Sequence, residues 1–419
     1  MRFLTEELVR RIIREFGTPV YVYSEKVLRQ SAQDLLEFPH AFGLTVRYAM
    51  KACPTRAILR VIHQQGLYID ASSGFEVERA MRARIPASHI QLTSQELPAD
   101  LFQLGQKGIR FTACSLNQLE TYGQKFQAGP RRAIGIRVNP GLGSGHCGRT
   151  NTGGPSSSFG IWPAYLEKAK AIAKQYGLVI DRLHTHIGSG SDPEVWVKVA
   201  KMSLAIAEQL PDVEVLDLGG GFKVGRMPDE ATTDLQVCGS AVKTAFEEFA
   251  QKTGRRLKLE IEPGTYVVAA AGSIVAKVID VVTTRPDPNG LVFAKVDTGM
   301  TELIRPALYG AQHPITVVPR EEDPTRQMIP CVVSGHCCES GDILTPAPGD
   351  PNTVATRKLL EPEIGDGLVI DFTGAYGSAM AAKHYNSFPE APEVLIYADG
   401  TLRLIRRRQQ LKQMVENEV

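Results

Sequence analysis

With 419 residues the chain is long enough for two domains rather than one. Its 43% hydrophobic and 22% charged residues are those of an ordinary globular protein, and a formal net charge of +1 excludes any general attraction to nucleic acid or an anionic membrane. No apolar run is long enough for a membrane helix, the start Met1-Arg2-Phe3-Leu4-Thr5-Glu6-Glu7 lacks a signal-peptide core, and the seven cysteines are scattered except for Cys337 and Cys338, so a cytoplasmic chain with free thiols is expected.

In chain order, Pro19-Val20-Tyr21-Val22-Tyr23 reads as an opening strand. From residue 44 onward, strand-like runs alternate with helix-like ones. The expected strands are 44–50, 67–71, 89–93, 109–113, 133–138, 180–187, 214–218 and 257–262. Between them, 55–66 has Thr55 as a candidate N-cap, Ile58, Val61 and Ile62 on one face, and Gly66 as a stop. In 163–176, Leu166, Ala169, Ile172 and Ala173 repeat that spacing. Eight parallel strands with eight crossovers predict a closed (β/α)8 barrel, with a doubly wound open sheet as the alternative. The 141–158 stretch holds six Gly and four Ser, long enough for a functional loop. After Gly264 helical periodicity fades. Short β-rich runs at 274–283, 291–297, 329–334, 367–371, 394–398 and 401–405 predict a β-sandwich or small β-barrel domain that also takes in the N-terminal strand. The expected boundaries are 30–275 for the barrel and 1–29 with 276–419 for the β-rich domain.

A barrel carries its chemistry at the C-terminal ends of its strands. Here those ends bear Lys51, Ser73, Thr93, Arg137 with Asn139, His186 with Ser189, Gly219-Gly220-Gly221, and Glu262, whereas the fourth strand offers only Cys114 and Ser115. Lys51 at a strand exit is either a partly desolvated nucleophile or a solvent-facing charge. The glycine triplet either closes backbone N–H groups on an anion, helped by a following helix N-terminus, or makes a tight turn. Glu262 can hold a pyridine nitrogen protonated or pair with a structural cation. His184 and His186 alternate and so face one way. That suits a metal, but metal-dependent barrel hydrolases place such a pair after the first strand, so ring stacking for His186 and a core place for His184 are favoured. The Arg406-Arg407-Arg408 run reads as a solvated patch.

Taken together, Tyr48-Ala49-Met50-Lys51-Ala52, His184-Thr185-His186-Ile187-Gly188-Ser189, Glu262-Pro263-Gly264, Arg305-Pro306-Ala307-Leu308-Tyr309-Gly310, Cys338-Glu339-Ser340-Gly341-Asp342 and Gly374-Ala375-Tyr376 resemble the alanine-racemase-fold pyridoxal-phosphate decarboxylases. Within them the resemblance is to the diaminopimelate decarboxylase family, and it runs over nearly the whole chain. It implies a pyridoxal 5'-phosphate (PLP) barrel with a β-domain contributing to the active site and to a homodimer. It implies decarboxylation of meso-2,6-diaminopimelate to L-lysine and CO2, with Lys51 carrying the cofactor as a Schiff base and His186 stacked on its ring. Glu262 would meet the pyridine nitrogen, and Asp70 would lie beneath the lysine. Ser189, Gly219, Gly220, Gly221 and Gly264 would hold the phosphate with Tyr376 nearby, and Arg137 and Thr265 would complete the cofactor site. Cys338, from the partner subunit, would supply a proton after CO2 leaves. Arg305, Tyr309, Glu339 and Tyr376 would bind substrate. No metal is implied.

A substrate with a second ammonium–carboxylate pair needs a cation and an anion at its far end, and Arg305 with Glu339 supplies them. Some positions depart from the family pattern. Thr265 follows Glu-Pro-Gly where Arg is usual, Cys53 replaces a frequent Asn, Phe75 replaces a Gly, and Thr93-Ser94-Gln95-Glu96 lacks the usual Asn and Lys. Arg149, in the Gly-rich loop, is a candidate supplementary clamp, with a solvated loop charge as its alternative. Rival readings on the same fold are a D-ornithine or D-lysine type decarboxylase and an amino-acid racemase.

Overall fold

The computed structural model describes the chain except for residues 127–131, 145–150, 189–191, 287–289 and 322. Its contacts divide it into two compact units. One comprises Arg29–Val224 and Ala231–Val267, and the other Met1–Leu28, Gly225–Glu230 and Val268–Val419.

The first unit is a closed barrel of eight parallel strands, Leu44–Ala49, Tyr68–Ala71, Ile90–Thr93, Arg110–Ala113, Ala133–Arg137, Val179–His184, Val215–Asp217 and Lys258–Ile261. Each pairs with its sequence neighbour, and the last closes on the first through Leu44↔Leu259, Thr45↔Glu260 and Val46↔Ile261. All eight expected strands form. The sixth ends at His184, earlier than its apolar pattern suggests, so His186 lies beyond the ladder. The helices obey the spacing read from sequence. In Arg56–Gln64, Ile58, Leu59, Val61 and Ile62 are buried, and Thr55 takes the N-cap place without a side-chain capping bond. Leu166–Tyr176 buries Leu166, Ala169 and Ala173 and ends on Gly177 at φ 63°.

Charges fill part of the barrel interior. Arg47 forks onto Glu260, with Nε–Oε2 3.1 Å and a terminal nitrogen 3.0 Å from Oε1. Arg182 adds a 3.2 Å ion pair to the same carboxylate. All three side chains are buried. Such a group is tolerated in a dry interior because the Glu260 carboxylate meets Arg47 in bidentate geometry and Arg182 through a single ion pair.

In the second unit, Gly272–Thr283 is the spine of a nine-stranded sheet. Along the main path the order is Arg357–Leu360, Met328–Ser334, Val292–Val296, Gly272–Thr283, Val20–Ser24, Glu393–Ile396 and Leu402–Arg406. Gly367–Ile370 pairs with both Gly272–Thr283 and Ile315–Val318. The N-terminal strand does join this sheet, antiparallel to Gly272–Thr283 and parallel to Glu393–Ile396. The helix Glu6–Phe16 starts at Thr5, whose hydroxyl accepts the Leu8 N–H at 3.2 Å. It sets Val9 and Ile12 into a core with Val20, Val22, Val275, Val318, Val369 and Val394. Strands Ile315–Val318, Pro346–Ala347, Asp350–Val354 and Arg357–Leu360 were not expected. They are short, at two to five residues, and in Asp350–Val354 and Arg357–Leu360 the residues Asp, Asn, Arg and Lys interrupt the apolar alternation.

Candidate active site

Lys51 sits in the single turn Met50–Ala52 that follows the first barrel strand, with Met50 and Ala52 buried and Lys51 itself exposed. The Tyr48 hydroxyl donates to the Cys53 carbonyl at 3.0 Å, pinning that turn from inside. Asp70 lies next to the end of the second strand, buried, with Oδ1 unpartnered. Burial raises its carboxyl to about 7 against the pull of the Lys51 charge, and Asp217 and Glu76 push the same way as burial. Ser73, by contrast, caps the helix Gly74–Arg82 by accepting the Glu76 N–H at 3.1 Å, a structural duty.

The two histidines take different partners. His184 is buried, its Nε2 3.4 Å from Glu262 Oε2. Burial, then the charges of Arg137, Lys51 and Arg182, hold it well below its ordinary pKa, so it is neutral. His186 accepts the Gly220 N–H at Nδ1, 3.2 Å away. Burial with Arg137 and Lys51 nearby also keeps this ring neutral, which places its proton on Nε2. The glycine run makes this approach possible. Gly219 has φ 67°, and a Cβ there would lie 2.5 Å from His186 Nδ1. One on Gly220 would lie 2.4 Å from the Glu262 carbonyl oxygen. No helix follows directly, contrary to the expected dipole. The next begins at Leu235, because 222–234 carries Pro228 and no helical apolar spacing.

Glu262 is buried, and its Oε1 accepts from Gln91 Nε2 at 2.9 Å, a nitrogen also 3.2 Å from Asp217 Oδ2. Burial, followed by Asp217 and Asp70, pushes the Glu262 carboxyl well above its ordinary value. Gly264 packs a would-be Cβ 3.3 Å from Ala49, and Thr265 opens the four-residue helix Thr265–Val268. Arg137 lays its guanidinium 4.9 Å over the Phe159 ring, with one terminal nitrogen unpartnered. Asn139 pins both ends of the Gly-rich loop. Its Oδ1 accepts from Gly141 N–H at 3.0 Å and Gly154 N–H at 2.9 Å. Ser189 and Arg149 lie outside the described residues.

The β-rich unit carries the other expected residues. Arg305 and Tyr309 share the helix Arg305–Tyr309, the guanidinium 5.7 Å over the ring. Cys338 is exposed, its N–H donating to Asn386 Oδ1 at 2.8 Å. Its neighbour Cys337 is half-buried, and burial, then Asp342, pushes that thiol up to about 12. Glu339 accepts from Gly341 N–H at 3.1 Å and lies 3.5 Å from the Tyr385 hydroxyl. Tyr376 adopts φ 56°, a left-handed backbone that non-glycine residues rarely take.

Sequence reading passed over Gln91, Asp217, Arg47 and Arg182, and over Glu260 as a functional partner. A signal was there. Arg182 and His184, like Glu260 and Glu262, are spaced by two on apolar strands, which turns both of each pair into the barrel.

Comparison with known proteins agrees with this geometry. Residues 25–269 match the family described as pyridoxal-dependent decarboxylase, pyridoxal binding domain. The diaminopimelate decarboxylase of Escherichia coli K12 is 36% identical over 427 aligned positions, covering 99% of this chain and 97% of that one. That of Streptomyces coelicolor is 34% identical, covering 97% and 90%. A solved diaminopimelate decarboxylase superposes with TM-score 0.90 at 34% identity, covering 99% of this chain and 97% of the other. The Helicobacter pylori diaminopimelate decarboxylase complexed with L-lysine does so with TM-score 0.85 at 27% identity, covering 97% and 98%. The chain belongs to the pyridoxal-dependent decarboxylases and, within them, to the diaminopimelate decarboxylase family. It is a carboxy-lyase that uses PLP and acts on an amino acid. The barrel residues fit that cofactor: a glycine run too close to Glu262 and His186 for any side chain, and a buried Asp70 and Arg137 with unpartnered atoms. No helix among the described residues is long and apolar enough to cross a membrane.

Proposed function

We propose that this chain releases CO2 from meso-2,6-diaminopimelate to give L-lysine, as a cytoplasmic homodimer with shared active sites. The observation that carries the reading is the near-full-length likeness to diaminopimelate decarboxylases, spanning both units.

When bound, PLP supplies the electron sink that makes loss of CO2 from an amino acid feasible. The chain's own groups prepare the rest. Lys51 offers the amine that would hold the cofactor. His186, oriented by the Gly220 N–H, lends a flat neutral face to the ring. Glu262 is held by Gln91 in a pocket where its charge is costly without a cation, which suits a basic ring nitrogen. Gly221 and Gly264 present backbone N–H groups for the phosphate, while Gly219 and Gly220, whose N–H groups go to Asp217 and His186, leave the space for it to approach the run, with Ser189 and Tyr376 assisting and Arg137 and Thr265 beside them. Asp70 tunes Lys51 from beneath. In the β-rich unit, Arg305 meets the distal carboxylate, Glu339 the distal ammonium, and Tyr309 and Tyr376 flank the substrate. Cys338, exposed on its own chain, donates a proton in the site of the partner subunit.

The test is CO2 release across meso-diaminopimelate, both ornithines, both lysines and arginine. Turnover of meso-diaminopimelate, with the others far slower, is expected. Preferred turnover of an ornithine or lysine would overturn the substrate, and interconversion of enantiomers without CO2 would overturn the reaction.

A further inference from the structure

Asp217 ends the seventh barrel strand, buried, two residues before the glycine run begins. Its two oxygens hold different partners. Oδ1 accepts the Gly219 N–H at 2.9 Å, and Oδ2 accepts from Gln91 Nε2 at 3.2 Å. The same Gln91 nitrogen donates to Glu262 Oε1 at 2.9 Å. The Glu262 N–H in turn donates to the Gly219 carbonyl at 2.8 Å. These four bonds close a circuit that runs from Asp217 to Gly219, to Glu262, to Gln91 and back to Asp217. Gln91 can occupy its place in one orientation. Its Oε1 accepts from an Arg182 terminal nitrogen, so its NH2 faces the two carboxylates. Turned over, it would set donor against guanidinium and acceptor against carboxylate.

The circuit joins two ends of the cofactor site. Glu262 stands where a basic ring nitrogen suits it, and the glycine run offers its backbone to the phosphate. The Gly220 N–H carries the tie on to Nδ1 of His186, the stacking ring, at 3.2 Å. A rigid ligand meets two separated groups at once only if their spacing is held, and groups fixed in advance cost nothing to order when it binds. The main-chain bond between Glu262 and Gly219 holds the backbones together. The Glu262 side chain is held to the same glycine by Gln91 and Asp217.

We propose that Asp217 is a positioning residue for the cofactor: through the Gly219 N–H and Gln91 it fixes the Glu262 carboxylate relative to the glycine run, so that one PLP molecule meets both, with its ring nitrogen and its phosphate. The inference rests on the roles of Glu262 and the glycine run in the proposed function and deepens them. Asp217 also acts through its charge. Burial first, then Asp217 and Asp70, hold the Glu262 carboxyl well above its ordinary value, which keeps a proton where a basic ring nitrogen would share it.

The experiment reconstitutes the full-length chain, parent, Asp217→Ala and Glu262→Gln, with PLP isotope-labelled at its ring nitrogen. Three quantities are read: the nuclear magnetic resonance shift of that nitrogen, the PLP dissociation constant from visible absorbance, and kcat with KM on meso-diaminopimelate. Asp217→Ala should weaken PLP roughly tenfold or more, as when one partner is removed from buried hydrogen bonds. It should also move the ring-nitrogen signal toward that of Glu262→Gln and lower kcat with KM much less changed. A residue that only supported the barrel would leave the signal of the bound cofactor where it is. If Glu262→Gln moves the signal while Asp217→Ala keeps the parental one, the inference falls and the proposed function stands, even where PLP affinity drops. If Glu262→Gln itself keeps the parental signal, the reading of Glu262 falls and the inference with it. Should Asp217→Ala not fold, Asp217→Asn decides. An amide has one acceptor oxygen where Asp217 accepts at both, so either orientation of the new side chain breaks one of the two ties. A displaced ring-nitrogen signal is expected, and a parental signal would overturn the inference.

Discussion

Glu260 shows how one residue is set by its surroundings. Burial alone would push its carboxyl up, but Arg47 and Arg182 outweigh burial and hold it below the usual range. A carboxyl that titrates lower folded than unfolded adds stability that is complete above about 4.3, the unfolded value, and is lost as pH falls through the folded value. Glu260→Gln keeps the shape but removes the carboxylate that ion-pairs with both buried guanidiniums. It should cost on the order of 3–5 kcal/mol near neutral pH, and stability should then fall less steeply on the acid side than in the parent. Urea unfolding near pH 7 and near pH 4 measures both. A variant as stable as the parent near neutrality would show that Glu260 does not hold the arginines in place. None of this is visible one residue at a time, since a Glu on an apolar strand has the same sequence appearance whether or not two arginines converge on it.

At the scale of elements, the barrel strands were legible because eight apolar runs recur with amphipathic helices between them. The glycine run was legible as a feature but not as a geometry. Its purpose emerges from the Glu262 carbonyl, which would lie 2.4 Å from a Gly220 Cβ. Gly220→Ala should therefore displace either the run or the strand end after Ile261, at a cost on the order of 1–3 kcal/mol. Cofactor affinity should fall roughly tenfold or more, since the same backbone positions His186 and Glu262 (1.4 kcal/mol is a factor of ten). Thermal unfolding and PLP titration followed by visible absorbance would check this, and parental values for both would count against the close approach. The short strands 315–318, 350–354 and 357–360 escaped the sequence because sheet pairing, not local pattern, makes them strands.

For the whole molecule, the proposed assembly makes a distinctive forecast. Chains carrying Lys51→Ala and chains carrying Cys338→Ala should each be nearly inactive alone. The Lys51→Ala protein should also lack the visible absorbance of bound cofactor. When the two are mixed and allowed to exchange, a mixed dimer has one site with both residues intact, and up to about a quarter of parental activity should return from a statistical mixture of pairs. Activity that stays at the level of the separate variants, in mixtures shown by mass spectrometry to have exchanged, would refute a site shared between subunits.

The chain order of apolar runs, and the placement of polar residues at their ends, determined the barrel, the β-rich remainder and the family, because periodicity and motif spacing are local properties of the sequence. Val20–Ser24 could be read as a strand for the same reason, and the texture after Gly264 as β-rich. Only the tertiary structure decided where the separated charges converge. It gathered Gln91 and Asp217 from two strands with Glu262 from the end of a third, and set the Arg47–Glu260–Arg182 group inside the barrel. The physical reason is that electrostatics and desolvation depend on distances through space. Residues 213 apart in sequence, like Arg47 and Glu260, have no mutual energy until the fold brings them together.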